Sequence, residues 1–411
     1  MKCITLLLDG ASDRSYKELN NQTPLQYADT PNLDKIAVHS QCGLMTPFRE
    51  GVALGTDLAH YLMFNYKMDE YPNRSIIDAI GEELTIVTGA LYLRCSIATV
   101  SRENGFKLLN RFTPNLSKDE VVALSSVLKT SINGYEFEFV HSYDSHGFII
   151  IKGNNLTENI SDSDPFRAGM YAMKVESFEE YSDKTKFLAD CINDYLKFTF
   201  DVLSKHDVNS LRDVPGNMIL TKWAGIYRPV EPFYKRNGMK GVIIGNSKLL
   251  KGLASYICMD YYHYDSFDEA IEYALNCDYE YVHLHTKEPD TASHKKNTML
   301  KVKALEVIDT QISKLLDFEG LLIVTSDHST PCSGNNIHSG EPVAFMACGE
   351  YVRVDDVKFF NEISCSQGSI KLCAADFMNY IINATDRGCL YHLKQGRFKK
   401  NYIVRDENRL L

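Results

Sequence analysis

Residues 321 to 349 read LLIVTSDHSTPCSGNNIHSGEPVAFMACG, and the rest of the chain is read outward from them. Leu321 to Val324 is an apolar run of strand length and composition. It stops at Thr325-Ser326, and Asp327-His328 follow at once. A loop rich in Ser, Thr, Pro, Gly and Asn comes next, then His338, then a second apolar run from Pro342 to Ala347. A carboxylate and two imidazoles therefore sit just past the carboxyl end of a buried strand, the edge where open α/β sheets place ligands. Asp and His are metal-ligand types, and the loop can fold His338 back toward the pair. Taken alone, Asp-His is also what an ordinary polar loop contains, so its meaning depends on partners elsewhere.

The chain of 411 residues is long for one core and suggests two domains, or one with a large insertion. Its 44% hydrophobic and 24% charged content is ordinary for a globular protein. A net charge of -10 argues against a general nucleic-acid or anionic-membrane surface, so an anionic substrate would have to be met locally. No apolar run reaches transmembrane length, and MKCITLLLDG reads as a first strand and not as a signal peptide. The 11 cysteines show no CxxC and no paired spacing; Cys3, Cys95, Cys258 and Cys348 lie in or beside apolar segments. Reduced, mostly buried thiols in a cytoplasmic protein are expected.

Other strand ends repeat the pattern. Ile4 to Leu8 ends in Asp9-Gly10. Tyr281 to His285 is followed by Thr286-Lys287-Glu288-Pro289-Asp290, with His294 four residues after Asp290 and so on the same face of a helical turn. Between them, Gly55-Thr56-Asp57 precedes Leu58, Tyr61 and Leu62 at helical spacing. Thr56 at that helix start reads either as an N-cap, worth about 1 kcal/mol, or as a nucleophile where backbone N–H groups favour an incoming anion.

Asp9, Thr56, Asp290, His294, Asp327, His328 and His338 form one candidate set. Three carboxylates and three imidazoles suit two divalent ions, and with no cysteine in the set Mn²⁺, Zn²⁺, Co²⁺ and Mg²⁺ all remain open. Two such ions bring four positive charges against three carboxylates, which leaves the site one charge positive while Thr56 is protonated and attracts an anion. A metal pair of this kind clamps both oxygens of a phosphoryl transfer.

The remaining elements read as an α/β alternation with an interruption. Cys42 to Met45 is a short strand, and Thr30-Pro31 opens a short helix. After Glu83 the composition shifts. Strands are expected at Tyr92 to Val100 and Phe148 to Ile151, with a helix at Lys118 to Leu128. The run Ser161 to Asp164 marks a way out, so residues 85–170 are expected to form an inserted α+β module, with 1–84 and 171–411 as the core. Further on come helices at Asp183 to Lys205, Ser247 to Tyr256, Ser266 to Asn276, Met299 to Leu316 and Ala374 to Ile382, a strand at Val242 to Ile244, and a short β-like tail.

The order LLLDG, GTD opening a helix, PDTASH, and SDH with a later His before Glu-Pro-Val resembles the alkaline phosphatase superfamily, and more closely the archaeal-type cofactor-independent phosphoglycerate mutases. TPLQYADTPNLD, the Arg74 segment and LRCSIATV with Arg94 extend the likeness over most of the chain. The resemblance implies an alkaline-phosphatase-like α/β core with an inserted cap. It implies one metal on Asp9, Thr56, Asp327 and His328 and another on Asp290, His294 and His338. It implies phosphorylation of Thr56 by a small anionic phosphorylated substrate, with Arg74 and Arg94 holding carboxylate or phosphate and Lys287 assisting.

Some positions depart from that family. The nucleophile is Thr56 where Ser is usual, Asn73-Arg74-Ser75 stands for Gly-Arg-Gly, Ser293 stands for a Gly, and Lys295-Lys296-Asn297 replaces a charged-Gly-Asn run. Ser142-Tyr143-Asp144-Ser145-His146 has an Asp where the mutases carry an arginine, and an Asp there would repel a phosphoglycerate. Two alternatives thus stand beside mutase chemistry. One is a hydrolase of phosphate esters or phosphonates, in which water resolves the Thr56 adduct. The other is a silent ligand-binding relative, against which the complete ligand set argues.

Overall fold

A computed structural model describes residues 1–179, 182–390 and 400–403. The chain divides into two units, Met1–Tyr71 with Val230–Leu411, and Pro72–Pro229.

The first unit is built on an eight-stranded sheet. Its order is Asp260–His263, Gly241–Gly245, Tyr281–Thr286, Cys3–Leu8, Leu321–Thr325, Val343–Cys348, Gln41–Thr46 and Ile370–Cys373. The first five run parallel, and Val343–Cys348 is antiparallel to both its neighbours. Strand Cys3–Leu8 is buried at every position, as a central parallel strand covered on both faces must be. On one face, Ile4, Leu6, Leu8, Val282, Leu284 and Val324 pack with Phe267, Ile271, Leu305 and Ile308. The helices Phe267–Asn276 and Thr298–Gln311 supply those last four.

Register is what places the site. Strand Cys3–Leu8 lies between Tyr281–Thr286 and Leu321–Thr325, with Leu8 opposite Thr286 and Leu7 opposite Thr325. Three adjacent parallel strands thus end at one level, and each is followed within a few residues by a carboxylate: Asp9, Asp290 and Asp327. The sequence-expected strands and helices of this unit are present, with small shifts at their ends. The helix expected at Met299 to Leu316 is α-helical over Thr298–Gln311 and continues as a 3₁₀ turn over Ile312–Asp317. The edge strands Asp260–His263 and Ile370–Cys373 were not anticipated, because both are short and only half-buried and so lack a strong apolar period.

The second unit carries an antiparallel sheet ordered Phe106–Asn110, Leu91–Arg102, His146–Lys152, Tyr135–His141 and Thr130–Ile132, with Met218–Ile226 also paired to Leu91–Arg102. It is larger than the 85–170 segment expected from sequence. Helix Arg74–Gly81 precedes that segment, and helix Asp183–Leu203 and strand Met218–Ile226 follow it. The reason is packing. Leu188, Ile192, Tyr195 and Leu196 of the long helix share a core with Leu93, Cys95, Ile97 and Ile219. Each such side chain contributes about 1.5–3 kcal/mol when buried, so this stripe fixes the helix to this sheet. The polar run Ser161 to Asp164 is a loop laced to Thr221 and does not leave the unit: the amides of Ser163 and Asp164 both donate to Thr221 O.

All eleven cysteines are free, and Cys258, expected among the buried ones, is exposed. Among the described residues no helix is long and apolar enough to cross a membrane. The expected β-like tail falls largely outside the described residues; within them Gly388 and Tyr402 form an isolated bridge.

Candidate metal centre

The seven residues singled out by sequence all belong to the first unit, and the structure gathers them into two groups. Asp9, Asp327 and His328 offer ligand atoms within 4.8 Å of one another, as do Asp290, His294 and His338. Asp9, Asp327 and His328 are fully buried, whereas the His294 side chain is 39% exposed. His328 Nε2 lies 3.1 Å from Asp327 Oδ2 and 3.4 Å from Asp9 Oδ1. In the other group, Asp290 Oδ1 is 3.2 Å from His294 Nε2 and 3.7 Å from His338 Nε2. The His328 and His338 rings stack at 3.7 Å between centroids, so the groups adjoin.

Thr56 joins the buried group. Helix Thr56–Met63 is capped by Gly55 and not by Thr56, whose hydroxyl is therefore free of the capping role. Thr56 Oγ1 is 3.2 Å from His328 Nε2, on the first turn of a helix whose N–H groups favour an anion. Gly10, at φ +62°, admits the close approach of Thr330: a Cβ there would run into the Thr330 hydroxyl. Its amide donates to Asp327 Oδ1 at 3.3 Å.

Hydrogen bonds set which imidazole nitrogens face the site. The Thr330 hydroxyl donates to Asp290 Oδ1 at 2.9 Å and accepts from His328 Nδ1 at 3.1 Å, which turns His328 Nε2 toward Asp9, Asp327 and Thr56. His338 Nδ1 donates to Leu54 O at 2.6 Å and so leaves its Nε2 for the Asp290 side. Two further histidines, not identified from sequence, support the carboxylates. His285 Nε2 donates to Asp9 Oδ2 at 3.1 Å. His60 Nδ1 donates to Thr56 O at 2.6 Å and lies 3.6 Å from Asp327 Oδ2. Both carry a sequence signal. His285 shares a strand face with His283 and ends the strand beside Asp9; His60 is one helical turn beyond Thr56.

The electrostatics call for cations. Burial, and then the Asp327 charge, push Asp9 up to about 6 despite its bond to His285. Burial would lower His328, but the Asp327 charge and hydrogen bond, with Asp9 and Asp290, raise it to about 9. Burial likewise opposes ionisation of Asp290, yet the His294 hydrogen bond and the neighbouring imidazoles hold it down at about 2. Burial and the His328 charge take His338 down to about 4. One imidazole proton is thus carrying the neutralisation of several carboxylates. Asp9 Oδ1 and Asp327 Oδ2 are buried with no aligned hydrogen-bond donor. Buried carboxylate oxygens left open, beside imidazole nitrogens turned toward them, are what a pair of divalent ions fits.

The other three candidates are not members of either ligand group. Lys287 is the N-cap residue of helix Glu288–His294, three residues before Asp290. Arg74 and Arg94 belong to the second unit, and there both lean on Asp78, at 3.5 and 3.7 Å from Oδ2.

Comparison with known proteins agrees with this geometry. The model of the metalloenzyme superfamily matches residues 1–384. The 2,3-bisphosphoglycerate-independent phosphoglycerate mutase 2 of Methanocaldococcus jannaschii is 44% identical over 422 residues, covering 99% of this chain and 98% of that protein. Among solved structures, the cofactor-independent phosphoglycerate mutase from Thermoplasma acidophilum matches with a TM-score of 0.63 and 27% identity, over 94% of this chain and 100% of that one. The PH0037 protein from Pyrococcus horikoshii matches with a TM-score of 0.72 and 28% identity, over 94% of this chain and 97% of that one. The chain belongs to the archaeal-type 2,3-bisphosphoglycerate-independent phosphoglycerate mutases, within the metalloenzyme superfamily.

Proposed function

We propose that the chain interconverts 3-phosphoglycerate and 2-phosphoglycerate through a phosphorylated Thr56. The observation that carries this is the Thr56 hydroxyl at a helix N-terminus, 3.2 Å from His328 Nε2, against a fully buried Asp9/Asp327/His328 group. Asp9, Thr56, Asp327 and His328 would hold one divalent ion, and Asp290, His294 and His338 the other. The donor set of oxygen and imidazole nitrogen suits Mn²⁺ or Zn²⁺. When bound, such ions stabilise the charge of a transferring phosphoryl group and favour the ionised form of a nearby hydroxyl.

The protein's own groups do the rest. In the first half, a bond forms between Thr56 Oγ1 and phosphorus, and the bond from phosphorus to the glycerate oxygen breaks. The hydroxyl proton ends on the departing glycerate oxygen. In the second half, the neighbouring glycerate hydroxyl attacks the phosphothreonine and the proton returns to Oγ1. His60 anchors the Thr56 carbonyl and so fixes the helix start from which Oγ1 projects, while His285 and Thr330 hold Asp9 and Asp290 in place. Arg74, Arg94 and Lys287 are proposed to bind the substrate's anionic groups, with the second unit acting as a cap. The free thiols favour a reducing, cytoplasmic setting.

Incubation with 3-phosphoglycerate tests the proposal. It should yield 2-phosphoglycerate, and a quenched reaction should contain phosphorylated Thr56. Release of inorganic phosphate in place of the isomer would move the chain to hydrolysis.

A further inference from the structure

The second unit holds a cluster of opposite sign to the metal centre. Arg94 and Lys222 are each 4% exposed, with Arg111 beside them. Asp164, fully buried, is shared: it accepts from Arg111 Nε at 2.9 and 3.0 Å and from Lys222 Nζ at 3.4 Å. Arg94 Nη1 is buried with no hydrogen-bond acceptor, and so are His146 Nδ1 and Ser142 Oγ without partners. Burial, then the charges of Arg94, Lys222 and Arg111, take His146 down to about 4. Burial, then Arg111, take Lys222 down to about 8 although Asp164 opposes this. With Arg74, which shares Asp78 with Arg94, four cations stand against the three carboxylates Asp78, Asp162 and Asp164.

What holds these cations is partly aromatic. Phe166 lies 4.4 Å from Arg111 Cζ and 5.2 Å from Lys222 Nζ, and Trp223 lies 4.8 Å from Lys222 Nζ and 4.6 Å from Arg74 Cζ. A ring face attracts a cation without neutralising it, so the charge remains available to an anion. Both residues also sit on left-handed backbone, Phe166 at φ +60° and Trp223 at φ +56°. Bulky side chains there are strained and persist only where the surroundings over-determine them. Two carboxylates of one loop do this. The Phe166 amide donates to Asp164 Oδ1 at 2.8 Å, and the Trp223 amide donates to Asp162 Oδ1 at 2.7 Å. Glycine would occupy this backbone without strain, so what the aromatic residues add is their faces.

We propose that Phe166 and Trp223 are positioning residues of the substrate site: their rings hold Arg111 and Lys222, with Arg94 alongside, to receive one oxyanion of the substrate, a carboxylate or a phosphate. The inference rests on the mutase reading for its substrate and is tested so that the two can fail separately. Trp223 is the single tryptophan of the chain, so its emission reports on this cluster alone. The full, metal-loaded chain is titrated with D-glycerate, which has the carboxylate and no phosphate, and with inorganic phosphate. One of the two should change the emission saturably and so identify the group, and Lys222→Ala should weaken that response about tenfold. Absence of a saturable response to both overturns the proposal, whether or not the chain turns over 3-phosphoglycerate.

In turnover, Trp223→Gly, which frees the backbone and removes the ring, should raise KM about tenfold and change kcat less than about threefold. Trp223→Phe, which keeps a ring face, should bring KM back to within about threefold of wild type. Phe166→Gly is read in the same way. A Trp223→Gly protein that melts as wild type does and keeps its KM overturns the proposal, as does a loss confined to kcat.

Discussion

The two units concentrate charge of opposite sign and leave it unbalanced in opposite directions. In the first, Asp9, Asp290 and Asp327 converge, and a proton on His328 is drawn in to offset them. In the second, Arg94, Arg111 and Lys222 converge around Asp78 and Asp164, and burial together with their field keeps His146 neutral. Each cluster crowds like charges around shared partners, an arrangement that costs stability when the groups are buried. The contrast supports the two proposals made above: that the first cluster is completed by cations, and the second by an anion.

Four expected outcomes break or sharpen that contrast. The largest is metal removal. A chelated chain should lose turnover of 3-phosphoglycerate to background and regain it with Mn²⁺ or Zn²⁺, and metal analysis of the loaded chain should find about two ions per molecule. Full turnover in a metal-free chain would remove the first half of the comparison. Next comes Thr56→Ala, which should reduce turnover on the order of 10³-fold or more and abolish the phosphothreonine, with metal content nearly unchanged. A mass spectrum showing the phosphoryl group on another residue would reassign the nucleophile.

His285→Ala should act at one remove, through Asp9. Metal affinity is expected to fall about 10–100-fold, measured by competition with a chelating dye, while melting of the metal-free chain changes little by comparison. An unchanged affinity would mean that Asp9 needs no support. The smallest effect belongs to the second unit. His146 is held down to about 4, so between pH ~6.5 and ~4 the unfolded chain binds a proton that the folded chain refuses. Stability should therefore fall as pH is lowered through that window, and His146→Gln should flatten this part of the profile relative to wild type. An identical slope in the variant would show that His146 is not the group titrating in that window.

Much of the first unit was legible because its central strands are short, apolar and closed by an acidic residue. Asp9, Asp290 and Asp327 could be seen as three strand ends before any pairing was known, and parallel register then set them side by side. The supporting shell was less legible. His60 and His285 look like ordinary core histidines until the register aligns them with Thr56, Asp9 and Asp327. The limits of the second unit were misjudged for a related reason. Ser161 to Asp164 has the composition of a linker, but its carboxylates are spent inside the unit on Arg111, Phe166 and Trp223. Composition alone does not distinguish an acid that faces water from one that holds a strained amide.

Thr330 bonds to one member of each candidate ligand group, and so would couple the two proposed ion seats. Its only proton is committed to Asp290, so toward His328 it can only accept, and a shift of Asp290 toward a bound ion would be passed through this one hydroxyl to the imidazole across from it. Loading should therefore be concerted. A population starved of metal would sort into fully charged and fully vacant molecules, with few half-loaded ones, and its catalytic output would track scarcity as a steep threshold and not as a gentle slope.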